Sequence, residues 1–479
     1  MRYDYNLIVI GGGTGGLVSA YIAAAMKAKV ALIERHAMGG DCLNTGCVPS
    51  KALLCSAKML SYAARAKDFG FKKTAVNFEF AEVMERVQAV IRAIAPHDSI
   101  ERYTALGVEC ITGDARITGP HRVEVNGRVL TARAIVVATG ARPLVPPLPG
   151  LTKKMNYLTS DTLWGLRKLP KRLVVLGGGP IGCEMAQAFA RLGSQVTIVE
   201  RGPQLLVRED DDVIEVVRER FAAERIDVRT GHAAVEVIKR DTTKVLVCEA
   251  NGKRVELPYD ALLLALGRKA NVSGFGLEEM GVTLTQRGTV DANPFMQTNI
   301  PSIYVVGDVT GPYQFTHAAA HQAWFAAVNA LLRPFWRVKA DYRVLPWTTF
   351  TDPEVARVGL NEKEAQAKGT PYEVTRFEMQ ELDRALADSE PHGFVKVLTQ
   401  PGKDTILGVT LVGHHAGDLL AEYVLAMRHG LGLGAILSTV HSYPTLAEAN
   451  KMAAGVWRKA HTPAWVLGFL YRFLSWRRG

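Results

Sequence analysis

A strand-like apolar run that empties into spaced glycines occurs twice in this chain, and the repeat fixes most of what it can fold into. Leu7-Ile8-Val9-Ile10 leads to Gly11, Gly13 and Gly16, then to a helical stretch Leu17–Met26 and a strand Val30–Ile33 ending at Glu34. Leu173-Val174-Val175-Leu176 leads to Gly177, Gly179 and Gly182, then to a helical Glu184–Leu192 and a strand Val196–Val199 ending at Glu200. In both copies the glycines fill the G-x-G-x-x-G positions, and the acid follows 23 residues after the first glycine. The first glycine turns the strand tightly, the second lets the backbone approach a pyrophosphate, and the third packs helix on strand. The helix N-terminus faces the anion, and the acid accepts from a ribose diol. One such motif is weak evidence. Two full copies with matching acids predict an α/β protein with two Rossmann-like dinucleotide-binding domains, within a chain whose 479 residues call for two to four domains in all.

Shortly after the first copy stands Gly39-Gly40-Asp41-Cys42-Leu43-Asn44-Thr45-Gly46-Cys47-Val48-Pro49-Ser50-Lys51. Two thiols four residues apart can close a small-ring disulfide, take two electrons from a flavin and pass them on by exchange. Structural zinc wants a second Cys or His pair at short spacing, so no metal ligand set is expected. The other cysteines, Cys55, Cys110, Cys183 and Cys248, are isolated. A bare Cys-x4-Cys would more often be two unrelated core thiols; the glycine and Pro-Ser-Lys flanks favour a redox pair. The first dinucleotide beside that pair is then FAD, and the second is the nicotinamide that feeds it.

Ile135–Gly140 reads as a buried strand closing the first segment, with Thr139-Gly140 beside the flavin. A Pro-rich linker follows, and Leu262–Arg268 closes the second domain at Gly267. Ile303–Asp308 brings the chain back to the flavin domain. The expected boundaries are 1–148 and 269–345 for the FAD domain, 149–268 for the NAD(P)H domain and 461–479 for a tail, with 346–460 a further domain. No secretory signal and no spanning helix is expected, which makes the cytoplasm the default. A formal charge of +10 invites a nucleic-acid reading, but Lys and Arg are scattered, and no nucleic-acid partner is expected.

These motifs together resemble the class I pyridine nucleotide–disulfide oxidoreductases, the family of glutathione reductase, dihydrolipoamide dehydrogenase and mercuric reductase, from about Tyr5 to Ala460. The resemblance implies that 346–460 is an α+β dimerisation domain and that the protein is a homodimer with active sites shared between subunits. It implies that Cys47 lies against the flavin ring and Cys42 is the interchange thiol. Lys51 would stand beside the flavin's reactive nitrogen with Glu184 paired to it. Asp308 would bind the ribityl chain and Glu34 the adenosine ribose of FAD. A carboxylate at Glu200 repels a 2′-phosphate, so NADH is expected over NADPH, although Arg201 and Arg208 follow closely.

The pattern breaks at His441-Ser442-Tyr443-Pro444-Thr445-Leu446-Ala447-Glu448. Disulfide-reducing members place a histidine where Tyr443 stands, paired with the glutamate at Glu448. A histidine near pKa ~6.5 accepts a thiol proton at neutral pH, whereas a tyrosine near ~10 is a donor. His441 would share a face with Tyr443 on a strand, yet sits too far away to substitute without rearrangement. Tyrosine here resembles mercuric reductase, as do the stretches Phe350–Gly359 and Leu382–Ala387, although no cysteine pair follows Cys248 to deliver metal. The leading expectation is an NAD(P)H oxidoreductase passing electrons through Cys42-Cys47 to a small-molecule or thiol-reactive acceptor. The alternatives are a dihydrolipoamide dehydrogenase, a membrane-associated NADH:quinone reductase that uses the flavin directly, and a non-catalytic redox-sensing flavoprotein. Residues 461–479 crowd aromatic and aliphatic side chains with arginine. Two readings fit: an interfacial helix in peripheral contact with a membrane, or, preferred, a helix packed on its own dimer.

Overall fold

The computed structural model describes residues 2–72 and 74–479. It is a mixed α/β protein made of two compact units, one formed by Met1–Ala64, Ala75–Arg201 and Gly231–Asp341, the other by Arg65–Thr74, Gly202–Thr230 and Tyr342–Gly479.

In the first unit each glycine motif has its own parallel sheet. The strands of the first lie in the order Val108–Thr112, Val30–Glu34, Tyr5–Ile10, Arg128–Val137. Leu7 lies opposite Val30 on one side and Ala134 on the other. Ile303–Val305 joins the far edge beside Arg128–Val137, so a strand distant in sequence completes the sheet. These strands are apolar on both faces because both are covered, one by helices and the other by Ile117, Val123, Val125 and Leu130 of an antiparallel meander, and Leu7, Ile8, Val9, Ile135 and Val136 are fully buried. The second sheet runs Gln195–Val199, Arg172–Leu176, Ala261–Leu264, Tyr157–Leu158, all parallel. An antiparallel meander, Ala233–Arg240, Thr243–Ala250 and Lys253–Tyr259, packs Val237, Leu246 and Leu257 into the same core.

Both motif helices start earlier than the apolar pattern suggests, at Thr14 and Pro180 rather than Leu17 and Glu184. The third glycine of each motif therefore lies inside the first turn. The reason is steric: a Cβ on Gly16 would meet the Gly11 carbonyl oxygen at 1.8 Å, and one on Gly182 the Gly177 carbonyl oxygen at 2.0 Å.

The second unit is built on a five-stranded antiparallel sheet, Pro346–Thr349, Glu354–Gly359, Ile406–Gly413, Phe394–Thr399, Glu373–Glu378. Val358, Val397 and Val409 from this sheet share a core with Leu420, Tyr423, Ala453 and Trp457 of the helices Ala416–Arg428 and Glu448–Ala460. Residues 202–230 are tied to this unit by buried charge. Lys396, 1% exposed, donates to the carboxylates of Asp210, Asp212 and Glu362 at 2.8–2.9 Å. Arg357, fully buried, meets Glu209 at 3.2 Å and Glu364 at 3.0 Å and lies over the Trp347 ring.

Candidate active site

The cysteine run folds directly onto the first glycine turn. Cys42 sits in the short helix Gly40–Asn44, and Cys47 is the first residue of the long helix Cys47–Ala64. Gly40 has a positive φ of 55°, and a Cβ there would meet the Gly13 Cα at 2.6 Å. The Gly39 amide donates to the Gly12 carbonyl at 2.9 Å. The glycines flanking the thiols are thus a contact requirement.

Both cysteines are thiols in this structure, Cys42 half-buried and Cys47 exposed. They share a hydrogen bond, and it splits their acidity. The Cys42 thiol lowers the pKa of Cys47 to about 6; the Thr316 hydroxyl, 3.3 Å from its sulfur, and the Lys51 ammonium add to this against burial and Glu184. The same hydrogen bond, with burial and the charge on Cys47, pushes Cys42 up. Cys47 opens its own helix and meets the hydroxyl of Thr316, the first residue of the helix Thr316–Leu332, and the N-terminal end of a helix dipole favours a thiolate. Lys51, one turn along from Cys47, donates to the buried Glu184 at 2.9 Å.

Thr316 was not apparent from the sequence. A threonine opening an apolar helical run signals the helix start, but not what lies across from it. Thr316→Val is expected to move the midpoint of Cys47 alkylation by iodoacetamide up by up to about one pH unit. An unmoved midpoint would mean the hydroxyl plays no part.

The expected cofactor positions can be tested on the chain itself. Gly11 and Gly177 have φ of +107° and +114°, and a Cβ on either would strike a carbonyl oxygen, of Ala138 or Ala265. Gly13 and Gly179 differ. Their backbones are extended, a Cβ on Gly179 meets nothing within 4 Å, and one on Gly13 makes only an ordinary contact. The fold does not need glycine there, whereas a pyrophosphate approaching the backbone does. Glu34 Oε2 accepts from the Gly12 amide at 2.5 Å, and Glu200 Oε2 from the Gly178 amide at 2.7 Å, so both acids are held alike at their strand ends. Thr139 and Gly140 are tied to Asn271. Gly267, at φ +102°, lets its carbonyl accept from Leu144. Asp308, pushed up by burial and drawn back by Arg268, pairs with Arg268 at 3.3 Å. Arg268 also pairs with Asp41, beside Cys42. It links Asp308 to the cysteine helix, and sequence reasoning gave it no role. These residues fit FAD and a nicotinamide dinucleotide.

Tyr443 and Glu448 lie in the second unit. Residues 439–447 form neither helix nor strand, so the shared strand face considered for His441 and Tyr443 does not exist. His441 turns inward: its Nε2 meets Glu422 Oε1 at 3.0 Å and its Nδ1 the Thr439 carbonyl at 3.0 Å, with its side chain 7% exposed. Tyr443 is open to solvent, and its hydroxyl donates to Asp383 Oδ2 at 3.0 Å, which raises its pKa. Glu448 opens the helix Glu448–Ala460, and its carboxylate accepts from the Thr445 amide at 3.4 Å.

Residues 5–323 match the pyridine nucleotide-disulphide oxidoreductase family, and residues 345–454 match that family's dimerisation domain. The chain is 35% identical over 453 residues to a dihydrolipoyl dehydrogenase of Chlamydia muridarum, covering 94% of this chain and 96% of the relative. It is equally 35% identical over 452 residues to a mercuric reductase of Bacillus cereus, covering 94% and 71%. Among solved structures it resembles the HOCl-induced flavoprotein disulfide reductase RclA from Escherichia coli, with a TM-score of 0.84, 26% identity and coverage of 94% and 100%. The geometry and the likeness agree: this chain belongs to the pyridine nucleotide-disulphide oxidoreductases, NAD(P)H-dependent FAD enzymes that here carry the family's dimerisation domain.

Proposed function

We propose that the chain takes a hydride from NADH, reduces the Cys42–Cys47 disulfide, and delivers the two electrons to a thiol-reactive acceptor, with thiophilic metal ions favoured over dithiols. Bound FAD would supply the two-electron relay between nicotinamide and disulfide. A hydride brings two electrons and one proton, so breaking the S–S bond leaves one thiolate and one thiol. The hydrogen bond from Cys42, together with Thr316 and Lys51, favours the thiolate on Cys47 and keeps the proton on Cys42. Glu200 supports NADH over NADPH, since its fixed carboxylate would accept from a free 2′-hydroxyl and repel a phosphate. In a homodimer, Tyr443 and Glu448 of one subunit would complete the site of the other.

Tyr443 is the observation that carries the choice of acceptor. Exchange with a dithiol or disulfide needs a base for the Cys42 proton, and a tyrosine whose hydroxyl donates to Asp383 supplies none. The buried, engaged His441 does not replace it. A soft cation displaces the thiol proton by coordination, so it can react where a base is missing.

The test is anaerobic. Oxidised holoenzyme is mixed in parallel with NADH and with excess dihydrolipoamide, and new thiols at Cys42 and Cys47 are counted by alkylation and mass spectrometry. NADH is expected to reduce the pair quickly, and dihydrolipoamide at least about a hundredfold more slowly. Comparable rates would favour the second reading, a dihydrolipoamide dehydrogenase, for which the Chlamydia muridarum relative speaks.

A further inference from the structure

The helix Ala464–Arg478 is unlike every other long helix of the described chain: none of its side chains is buried. It nevertheless leaves from a fixed point. His461, just before it, stacks on Trp457 with ring centroids 4.2 Å apart and meets Glu373 at 2.8 Å. Beyond that anchor the helical period gathers Trp465, Phe469, Phe473 and Trp476 into one ridge. Phe473 lies 6.2 Å from Phe469 and 6.1 Å from Trp476, ring to ring. Leu470, Leu474 and Leu467 carry the apolar surface on from Phe473 into an arc of about 200°, with Gly468, Ser475 and Arg472 on the remaining side and Arg477 within the arc at the helix end.

Charge decides what such a face meets. From Arg458 to the last residue the chain carries Arg458, Lys459, Arg472, Arg477 and Arg478 and no Asp or Glu. The helix has 15 residues, about 22 Å, whereas crossing a bilayer core takes about 20 residues. No helix among the described residues is long and apolar enough to cross. Indoles at both ends and arginines at the C-terminal end suit the headgroup boundary, where a ring buries its body and keeps its N–H wet. We propose that Ala464–Arg478 docks this enzyme on an anionic bilayer, lying in the interface plane with the arc of aromatics and leucines down and Arg472, Arg477 and Arg478 reaching the lipid phosphates. The proposal stands independently of which acceptor the redox pair serves.

Flotation of the full-length FAD-loaded protein tests it. With vesicles of phosphatidylcholine containing about one-third phosphatidylglycerol, the protein is expected to rise with the lipid. Binding should be at least about tenfold weaker on pure phosphatidylcholine and in roughly 0.5 M salt. Arg472→Glu/Arg477→Glu/Arg478→Glu and, separately, Trp465→Ala/Phe469→Ala/Phe473→Ala should each lose at least about tenfold in binding. Both variants should keep NADH-dependent flavin reduction and the dimer's mass. An unchanged protein that stays at the bottom of the gradient overturns the proposal. So does undiminished binding by both variants. A charge-reversed protein that falls apart into monomers overturns it too, and would assign the helix to the subunit interface.

Discussion

A Cys42→Ser enzyme is expected to accept electrons from NADH normally and to deliver almost none. Flavin bleaching under anaerobic NADH should stay within about twofold, while turnover with a soft metal ion presented as its thiol complex falls by ~10³-fold or more. The asymmetry follows from the geometry. Cys47 faces Thr316 and Lys51, so the inner end of the pair survives the substitution. Cys42 is the thiol whose proton is retained, and on the proposed route its sulfur is the one that meets the acceptor. Cys47→Ser should lose the same turnover. Were Cys42→Ser to keep its activity, the acceptor would be drawing electrons straight from the flavin, as in the quinone reading.

The second large effect concerns stability. Lys396→Met removes the one ammonium shared by Asp210, Asp212 and Glu362 in a place where Lys396 itself is 1% exposed. The loss leaves Asp210, 6% exposed, with only the amides of Glu362 and Lys363 to offset its charge, while Asp212 keeps Arg376 and Glu362 is a third exposed, so a cost of about 3 kcal/mol is expected. That corresponds to a drop in the unfolding midpoint of the second unit on the order of 10 °C. The same cluster sets an acid limit. Burial pushes the Asp210 carboxyl up, but the hydrogen bonds from Lys396 and from the amides of Lys363 and Glu362 outweigh it, leaving its pKa below the ordinary value. A depressed carboxylate stabilises the fold above its unfolded pKa of about 4, and that contribution fades as pH falls below it. Differential scanning calorimetry of the variant and the unchanged protein at pH 7 and below pH 4 should show the gap closing with acid. A gap that persists unchanged at low pH would place the effect in packing.

The parts of this protein that local pattern dictates were the legible ones. Gly11, Gly16, Gly177 and Gly182 are fixed by collisions with neighbouring backbone, and collisions recur wherever the same turn recurs, so spacing alone announced both sheets. Gly13 and Gly179 were legible for the opposite reason, since glycine where the chain has room points to something outside it. Thr316 and Arg268 were not legible. Each reaches its partner, Cys47 or Asp41, across more than two hundred residues of sequence, and nothing in the local pattern encodes that meeting. The ties of residues 202–230 to the second unit escaped for the same reason, because a buried lysine reads like a surface one until its carboxylates are found. His441 shows the cost of assuming local regularity: the cis bond between Tyr443 and Pro444 lies in an irregular stretch, and alternation along a strand does not apply.

The contact between Gly40 and Gly13 sets how far this molecule can drift under mutation. The short helix bearing Cys42 rests on the bare Cα of the first glycine turn, with no side chain between to absorb an error. The cysteine run and the first glycine turn are thereby held in register by a seam with a clearance of less than one methyl group. Acceptor preference can change through residues such as Tyr443 while that seam stays intact. Any side chain at residue 40 would push the cysteine run off the glycine turn.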